Sequence, residues 1–309
     1  MKQIILIIMF LIFSILSAQE WTNISPFPAV NIGILGNFIS SEKGWIFQGS
    51  SANGKDIYFT EDGGQNWEII YSLDDPLEFF TKLSMIDSLH GWATKMWLDN
   101  QYPYTSYYSF IKTIDGGYSW EDMSDNFPEL NFIYPIYFID QDIGFFGAGS
   151  DTLSFQALIY KTIDGGENWY LTETPLIYFP DPYLVNYSAN KFFFIDENNG
   201  WVACSAFCGG GLSLFTSDGG ENWEVGVEPG LSPDLFDIHF VDLNHGGVAG
   251  RSFSSTYVSI TEDNFETITY QYDNSNWNQF AYAICFQNNS TIWVTGDPGS
   301  INRSTNGGE

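Results

Sequence analysis

Positive charge is scarce in this chain: 10 Lys+Arg stand against 38 Asp+Glu in 309 residues, a formal net charge of −28. A duplex or RNA backbone is bound through a basic face that displaces condensed counterions, and no such face can be assembled from so few cations. Anionic membrane surfaces are disfavoured for the same reason. The three histidines, His90, His239 and His245, stand at no ligand spacing, and CxxC and HExxH are both absent, which removes the usual zinc sites. No GxGxxG or GxxxxGK[ST] loop leads from a strand into a helix, so a nucleotide cofactor has no support. No stretch shows a capped helical period, and beyond residue 18 no segment approaches 18 consecutive apolar residues. An integral membrane segment is therefore not expected in the mature chain.

The first 18 residues are of another kind. Met1-Lys2 is a short positive start, Ile4 to Leu16 is apolar apart from Ser14, and the small residues Ser17-Ala18 precede Gln19. This is the pattern of a secretory signal peptide over 1–18, and it predicts an exported protein, secreted, periplasmic or at the cell surface. Removing it deletes Lys2 and no acid, leaving 38 acids against 9 bases, or −29. No Cys follows the small residues, which argues against a lipid-anchored start. Of the three cysteines, Cys204 and Cys208 could close a small loop and leave Cys285 unpaired, or all three could be buried small hydrophobes. At 44% hydrophobic and 18% aromatic the remainder can bury a core, and 30 Gly with 12 Pro point to many short strands joined by turns.

The organising feature is an internal repeat. Four copies read Thr60-Glu-Asp62-Gly-Gly64-Gln-Asn-Trp67, Thr113-Ile-Asp115-Gly-Gly117-Tyr-Ser-Trp120, Thr162-Ile-Asp164-Gly-Gly166-Glu-Asn-Trp169 and Thr216-Ser-Asp218-Gly-Gly220-Glu-Asn-Trp223. A fifth, Thr261-Glu-Asp263-Asn-Phe265-Glu-Thr-Ile268, keeps Thr and Asp but has lost Gly and Trp; a sixth reads Ser304-Thr-Asn306-Gly-Gly308-Glu309. The Asp (or Asn) positions step by 53, 49, 54, 45 and 43 residues. Ahead of each copy runs a second signature, clearest in Met85-Ile-Asp87, Phe138-Ile-Asp140, Phe194-Ile-Asp196 and Phe240-Val-Asp242, each followed four residues later by Gly. Each unit thus reads strand, Asp-led turn, strand, hairpin, strand, Gly-rich turn, strand, which is the unit of a β-propeller blade. The expected fold is all-β: a propeller of about six four-stranded blades over 19–309. In the Gly-rich turn Asp accepts from nearby backbone amides, the Gly pair supplies positive φ, and Trp covers the turn.

Ser/Thr-x-Asp-x-Gly-x-x-Trp repeated in this way resembles the Asp-box (bacterial neuraminidase, BNR) repeat. Combined with Phe-x-Asp-x-x-x-Gly-Trp, it is most similar to the propeller family of the photosystem II assembly and stability factor and its secreted bacterial relatives. The resemblance covers about residues 21–309 and implies fold more than function, since Asp-box propellers include sialidases, xyloglucan hydrolases, sorting receptors and assembly factors. It gives Asp62, Gly64, Trp67, Asp115, Gly117, Trp120, Asp164, Gly166, Trp169, Asp218, Gly220 and Trp223 a structural role. A sialidase of this kind would clamp its substrate carboxylate with three arginines, whose fork geometry lysine does not replace, and only Arg251 and Arg303 are present.

Other glycosidases need two carboxylates flanking the scissile bond. Most acids here belong to the repeat, and a catalytic acid should break it; Asp237 and His239 do so, on an expected innermost strand where Phe236, Ile238 and Phe240 share the opposite face. The plainer expectation is that the two satisfy each other or backbone between blades. Asp140-x-Asp142-x-Gly144, Asp196-x-Asn198-x-Gly200 and Asp242-x-Asn244-x-Gly246 resemble the start of a calcium loop but lack the Glu at its twelfth position, and read more simply as turns. No cofactor is expected, calcium being the one ion considered. Two aromatic insertions depart from the repeat, at 96–108 and 176–187, and Trp97, Tyr102, Tyr104, Tyr107, Tyr178 and Tyr183 are the candidates for a ligand face.

The chain ends carry two readings. Trp21-Thr-Asn-Ile fits the slot that follows each Gly-rich turn, so the N-terminal strand could complete the last blade; alternatively the chain continues past Glu309, which a terminus inside a tight turn favours. The reading reached from the sequence is an exported, non-catalytic recognition or scaffold module for protein or glycan at the cell surface. The rivals are a polysaccharide-cleaving hydrolase and a role in assembling a membrane complex.

Overall fold

Runs of β-branched and aromatic residues, punctuated by Asp- and Gly-led turns, favour short strands and leave no helix a start or a stop. The computed structural model describes residue 26 and residues 34–48, 54–98, 106–126, 133–148, 156–176, 187–206, 210–226, 233–252, 255–267, 270–274, 280–296 and 300–308. Blade 1 comprises β1 (Ile34–Phe38), β2 (Gly44–Gln48), β3 (Asp56–Thr60) and β4 (Glu68–Ser72). Blade 2 comprises β5 (Glu78–Met85), β6 (Gly91–Leu98), β7 (Ser106–Thr113) and β8 (Glu121–Asp122). Blade 3 comprises β9 (Ile133–Phe138), β10 (Gly144–Ala148), β11 (Leu158–Thr162) and β12 (Tyr170–Leu171). Blade 4 comprises β13 (Tyr187–Phe194), β14 (Gly200–Ala206), β15 (Leu212–Thr216) and β16 (Glu224–Val225). Blade 5 comprises β17 (Pro233–Phe240), β18 (Gly246–Ser252), β19 (Ser255–Thr261) and β20 (Tyr270–Asn274). Blade 6 comprises β21 (Ala281–Phe286), β22 (Ile292–Gly296) and β23 (Ser300–Ser304). Each blade is an antiparallel sheet whose strands follow one another in chain order, four-stranded except for the three described in blade 6.

The first strands of successive blades pack on one another, β1 on β5, β5 on β9, β9 on β13, β13 on β17 and β17 on β21, so they form the inner side of the array. The core lies between blades rather than inside any one of them. Trp45, Phe47 and Ile57 of blade 1 cluster with Phe80, Met85 and Ala93 of blade 2; Phe145 and Ile159 of blade 3 cluster with Phe192, Phe194 and Val202 of blade 4. Trp92 stacks on Phe138 at 3.6 Å and Trp201 on Phe240 at 3.8 Å between ring centroids. Each such ring, fully buried, contributes roughly 1.5–3 kcal/mol by removal from water alone.

Antiparallel order sorts the connections. The Asp-led and Gly-rich turns share one end of the ring, while the hairpins between second and third strands, and the links from blade to blade, share the other. The two turns of each blade are tied together: the Gly63, Gly116, Gly165 and Gly219 N–H groups donate to the carbonyls of Glu42, Leu89, Asp142 and Asn198 at 2.8–2.9 Å.

The structure alters three expectations. The fifth repeat keeps its turn despite losing Gly: Asn264 and Phe265 adopt positive φ of 56° and 66°, and Phe265 is buried against Phe240. The aromatic side chain has moved from the end of the turn into it. Of the 96–108 insertion, Met96–Leu98 and Ser106–Tyr108 are not loop but paired strand, lengthening β6 and β7 to eight residues each. Cys204 is a free thiol with no exposed surface on β14, its pKa pushed up by burial, so the Cys204–Cys208 loop is not formed; Cys208 lies outside the described residues.

Candidate functional site

The repeat's polar side chains are consumed locally. Thr60 Oγ1 donates to Asp62 Oδ1 (2.9 Å) and accepts from Gly64 N–H (2.9 Å), while the Asp62 carboxylate accepts from Asn66 N–H (2.9 Å) and Asn66 Nδ2 (2.7 Å). Thr113/Asp115/Gly117, Thr162/Asp164/Gly166 and Thr216/Asp218/Gly220 repeat the arrangement. Burial pushes Asp115, Asp164 and Asp218 up, but the hydrogen bonds from Ser119, Asn168, Asn222 and the turn threonines outweigh it and hold all three below the usual carboxylate range. Trp67, Trp120, Trp169 and Trp223 follow these turns, and the last three lie in the clusters between blades. Asp87, Asp140, Asp196 and Asp242 each accept two backbone amides of their own turn at 2.7–2.9 Å. Among the described residues no group of three or more His, Cys, Asp or Glu is placed to hold a metal ion.

Asp237 and His239 lie on β17, the inner strand, as the sequence predicts, and they do not bond each other. Ile284 N–H donates to Asp237 Oδ2 (2.8 Å) and Phe286 N–H donates to His239 Nδ1 (3.3 Å), both on β21 of the next blade. His239 belongs to a series one residue before the end of each inner strand. Asn37 Oδ1 accepts from Met85 N–H, Ser84 Oγ from Phe138 N–H (3.1 Å), and the Tyr137 phenol oxygen from the Phe194 backbone. An inner strand is the free edge of its sheet, so its amides need partners, and the preceding blade supplies them. The sequence carries a signal for this: polar or hydrogen-bonding residues at Asn37, Ser84, Tyr137 and His239, in a fixed place before each Asp-led turn.

β-Bulges in β5, β13 and β17 set Lys82, Lys191 and Asp237 at one level of the inner strands. Burial and the neighbouring Lys191 lower the pKa of Lys82. Burial raises Asp237 against the pull of Lys191 and its amide donors, and burial then Lys191 lower His239. Neutral His239 is what accepting at Nδ1 requires. The arrangement offers a general-acid pair no free geometry, because the acceptor atoms hold the next blade.

Trp97 and Tyr107 are cross-strand partners on the β6–β7 hairpin, their ring centroids 5.3 Å apart, with Tyr107 52% exposed. Tyr102, Tyr104, Tyr178 and Tyr183 lie outside the described residues; the segments carrying them leave from Leu98 and Leu176, at the end of the ring opposite the Asp-led turns. That end holds a second aromatic group the sequence reading missed. Tyr282 stacks on Phe236 (5.7 Å) and meets Phe280 (6.1 Å), and Arg251, paired with Asp234 at 2.8 Å, lies over Phe236 and Phe280.

No protein-family profile matches the chain, and no curated protein matches it. Solved structures do. YCF48 from Cyanidioschyzon merolae is 16% identical, covering 89% of this chain and 82% of its own, with a TM-score of 0.57. A puromycin-hydrolysing peptidase of Mycobacterium tuberculosis is 10% identical over 89% of this chain and 44% of its own, with a TM-score of 0.54. The Hadza microbial sialidase Hz136 is 12% identical over 85% of this chain and 63% of its own, with a TM-score of 0.53. At these identities the likeness is one of fold, and it establishes that the chain is built as a β-propeller.

Proposed function

We propose that this protein is an exported, non-catalytic propeller that recognises protein or glycan through the aromatic end of its ring. The observation that carries the reading is the pairing of Trp97 with the exposed Tyr107 at the end where the second aromatic group, Phe236, Phe280 and Tyr282, also lies. Rigid rings stack on sugar faces and on peptide side chains at low entropic cost. The net charge of −28 selects neutral or cationic ligands. Engagement of Asp237 and His239 by β21 amides weighs against a hydrolase, and partners in assembly of a membrane complex would be met by the same face. The test is to probe the mature protein against glycan and peptide arrays and analyse each captured ligand by mass spectrometry. Intact ligand held by wild type and lost with Trp97→Ala and Tyr107→Ala is the expected result. Cleaved product that disappears with Asp237→Asn would overturn it.

A further inference from the structure

A cavity of about 270 Å³ lies between blades 5 and 6, with Val258 and Ile260 on one side, Ile292, Val294 and Gly308 on the other, and Arg303 at its margin. Its position in the repeat identifies what it fits. In blade 3, Trp169 lies against Phe110, Phe138 and Phe146, with centroids 5.6, 6.0 and 4.8 Å away. These three stand three residues before the turn Thr of the preceding blade, at the end of the inner strand, and two residues into the second strand. Trp120 shares a cluster with Ile57, Met85 and Ala93, and Trp223 with Ile159, Phe194 and Val202, which are the same three positions. In blade 5 the buried Phe265 ring serves instead, packed with Phe240 and Val248. The counterparts in blade 6 are Val258, Phe286 and Val294; two of them line the cavity, as does Gly308, the second Gly of its turn. An apolar cavity of roughly 150 Å³ accepts a benzene-sized ring, so this one has room for an indole.

Sequence spacing names the indole. From the Trp that opens a fourth strand to the end of the next inner strand there are 18 residues in Trp67–Met85, 18 in Trp120–Phe138 and 17 in Trp223–Phe240. From Trp21 to Phe38 there are 17. Trp21 therefore stands to blade 1 as the opening residue of the fourth strand of the blade before it. Blade 1 is uncovered on that side among the described residues: Phe38 is 46% exposed, whereas Met85, Phe138, Phe194, Phe240 and Phe286 are at most 8% exposed.

We propose that the cavity between blades 5 and 6 is the seat of Trp21, and that residues 21–25 add to the edge of β23 as the fourth strand of blade 6. This would close the ring and cover Phe38. The register follows from the other blades, where the residue after Trp pairs with the residue before the turn Thr: Phe59 with Glu68, Lys112 with Glu121, Lys161 with Tyr170, Phe215 with Glu224. Thr22 accordingly faces Arg303, and Asn23 faces Asn302.

The test uses the mature chain with Cys208→Ser and Cys285→Ser. On mild oxidation Thr22→Cys with Arg303→Cys forms an intrachain disulfide, seen as a faster monomer on a non-reducing gel, whereas Thr22→Cys with Ile301→Cys stays reduced. A disulfide-linked dimer would place a second copy's segment in the cavity, and no cross-link would give it another occupant; either overturns the proposal. A readout independent of cysteine is thermal melting. Trp21→Ala lowers Tm by on the order of 10 °C, and Val294→Ala costs less in the Trp21→Ala background than in wild type. Unchanged melting of Trp21→Ala, or strictly additive losses, would overturn it.

Discussion

Thr162 and Asp164 show how two side chains fix a turn: the hydroxyl joins the carboxylate to Gly166 N–H, and the carboxylate then organises Asn168. Because such carboxyls sit below their unfolded value, the folded state binds fewer protons than the unfolded one once the pH drops to that range. Their stabilisation is complete above the unfolded value near pH 4 and is lost as pH falls through the lower folded value. Tm should stay flat from pH 7 to 5 and drop below about pH 4, with a shallower drop, from a lower start, in Asp115→Asn/Asp164→Asn; calorimetry across pH checks this. Phe265 gives a second residue-scale prediction. Its ring replaces the missing Trp of the fifth repeat, so Phe265→Ala should cost about 3–5 kcal/mol in urea unfolding. Phe265→Gly restores the sequence of the other turns, yet it should lose as much, because the ring and not the turn is what blade 5 lacks.

At the scale of the strand, the inner edges explain why the acids that break the repeat are not free to react. Ser84→Ala should leave Phe138 N–H without its acceptor and cost about 1–3 kcal/mol, read from denaturant midpoints. Lys161 makes a comparable link outside the inner ring. It is buried on β11 and reaches Glu221, in the turn of blade 4, at 2.6 Å, where Tyr170 also donates at 3.0 Å. Burial and that hydrogen bond to Glu221 push the Tyr170 phenol up to about 12. Strand order and all six turns were legible in the sequence because each is set by residues within eight positions of one another. The roles of Asp237 and His239 were only half legible: their alternation on β17 can be read, but their partners on β21 lie 47 residues away. The 96–108 insertion was misread as loop because its tyrosines and Pro103 masked the continuing alternation of β6 and β7. The Phe236–Tyr282 pair escaped notice because nothing local joins two inner strands from different blades.

At the scale of the molecule, 38 acids on a ring held by apolar contacts between blades leave a surface that repels itself. Added salt screens that repulsion, so Tm should rise by a few degrees between low ionic strength and about 0.3 M NaCl; a fall would mean that ion pairs such as Lys161–Glu221 outweigh it. The same charge sets the division of labour in this account: acids build turns at one end of the ring, and aromatics meet ligand at the other. The most direct test is one titration calorimetry series with a ligand taken from the arrays, comparing wild type, Trp97→Ala and Asp237→Asn, each first shown to be folded. The account predicts that Trp97→Ala loses binding while Asp237→Asn keeps it. Binding that survives Trp97→Ala and vanishes with Asp237→Asn would place the site among the inner strands and contradict it.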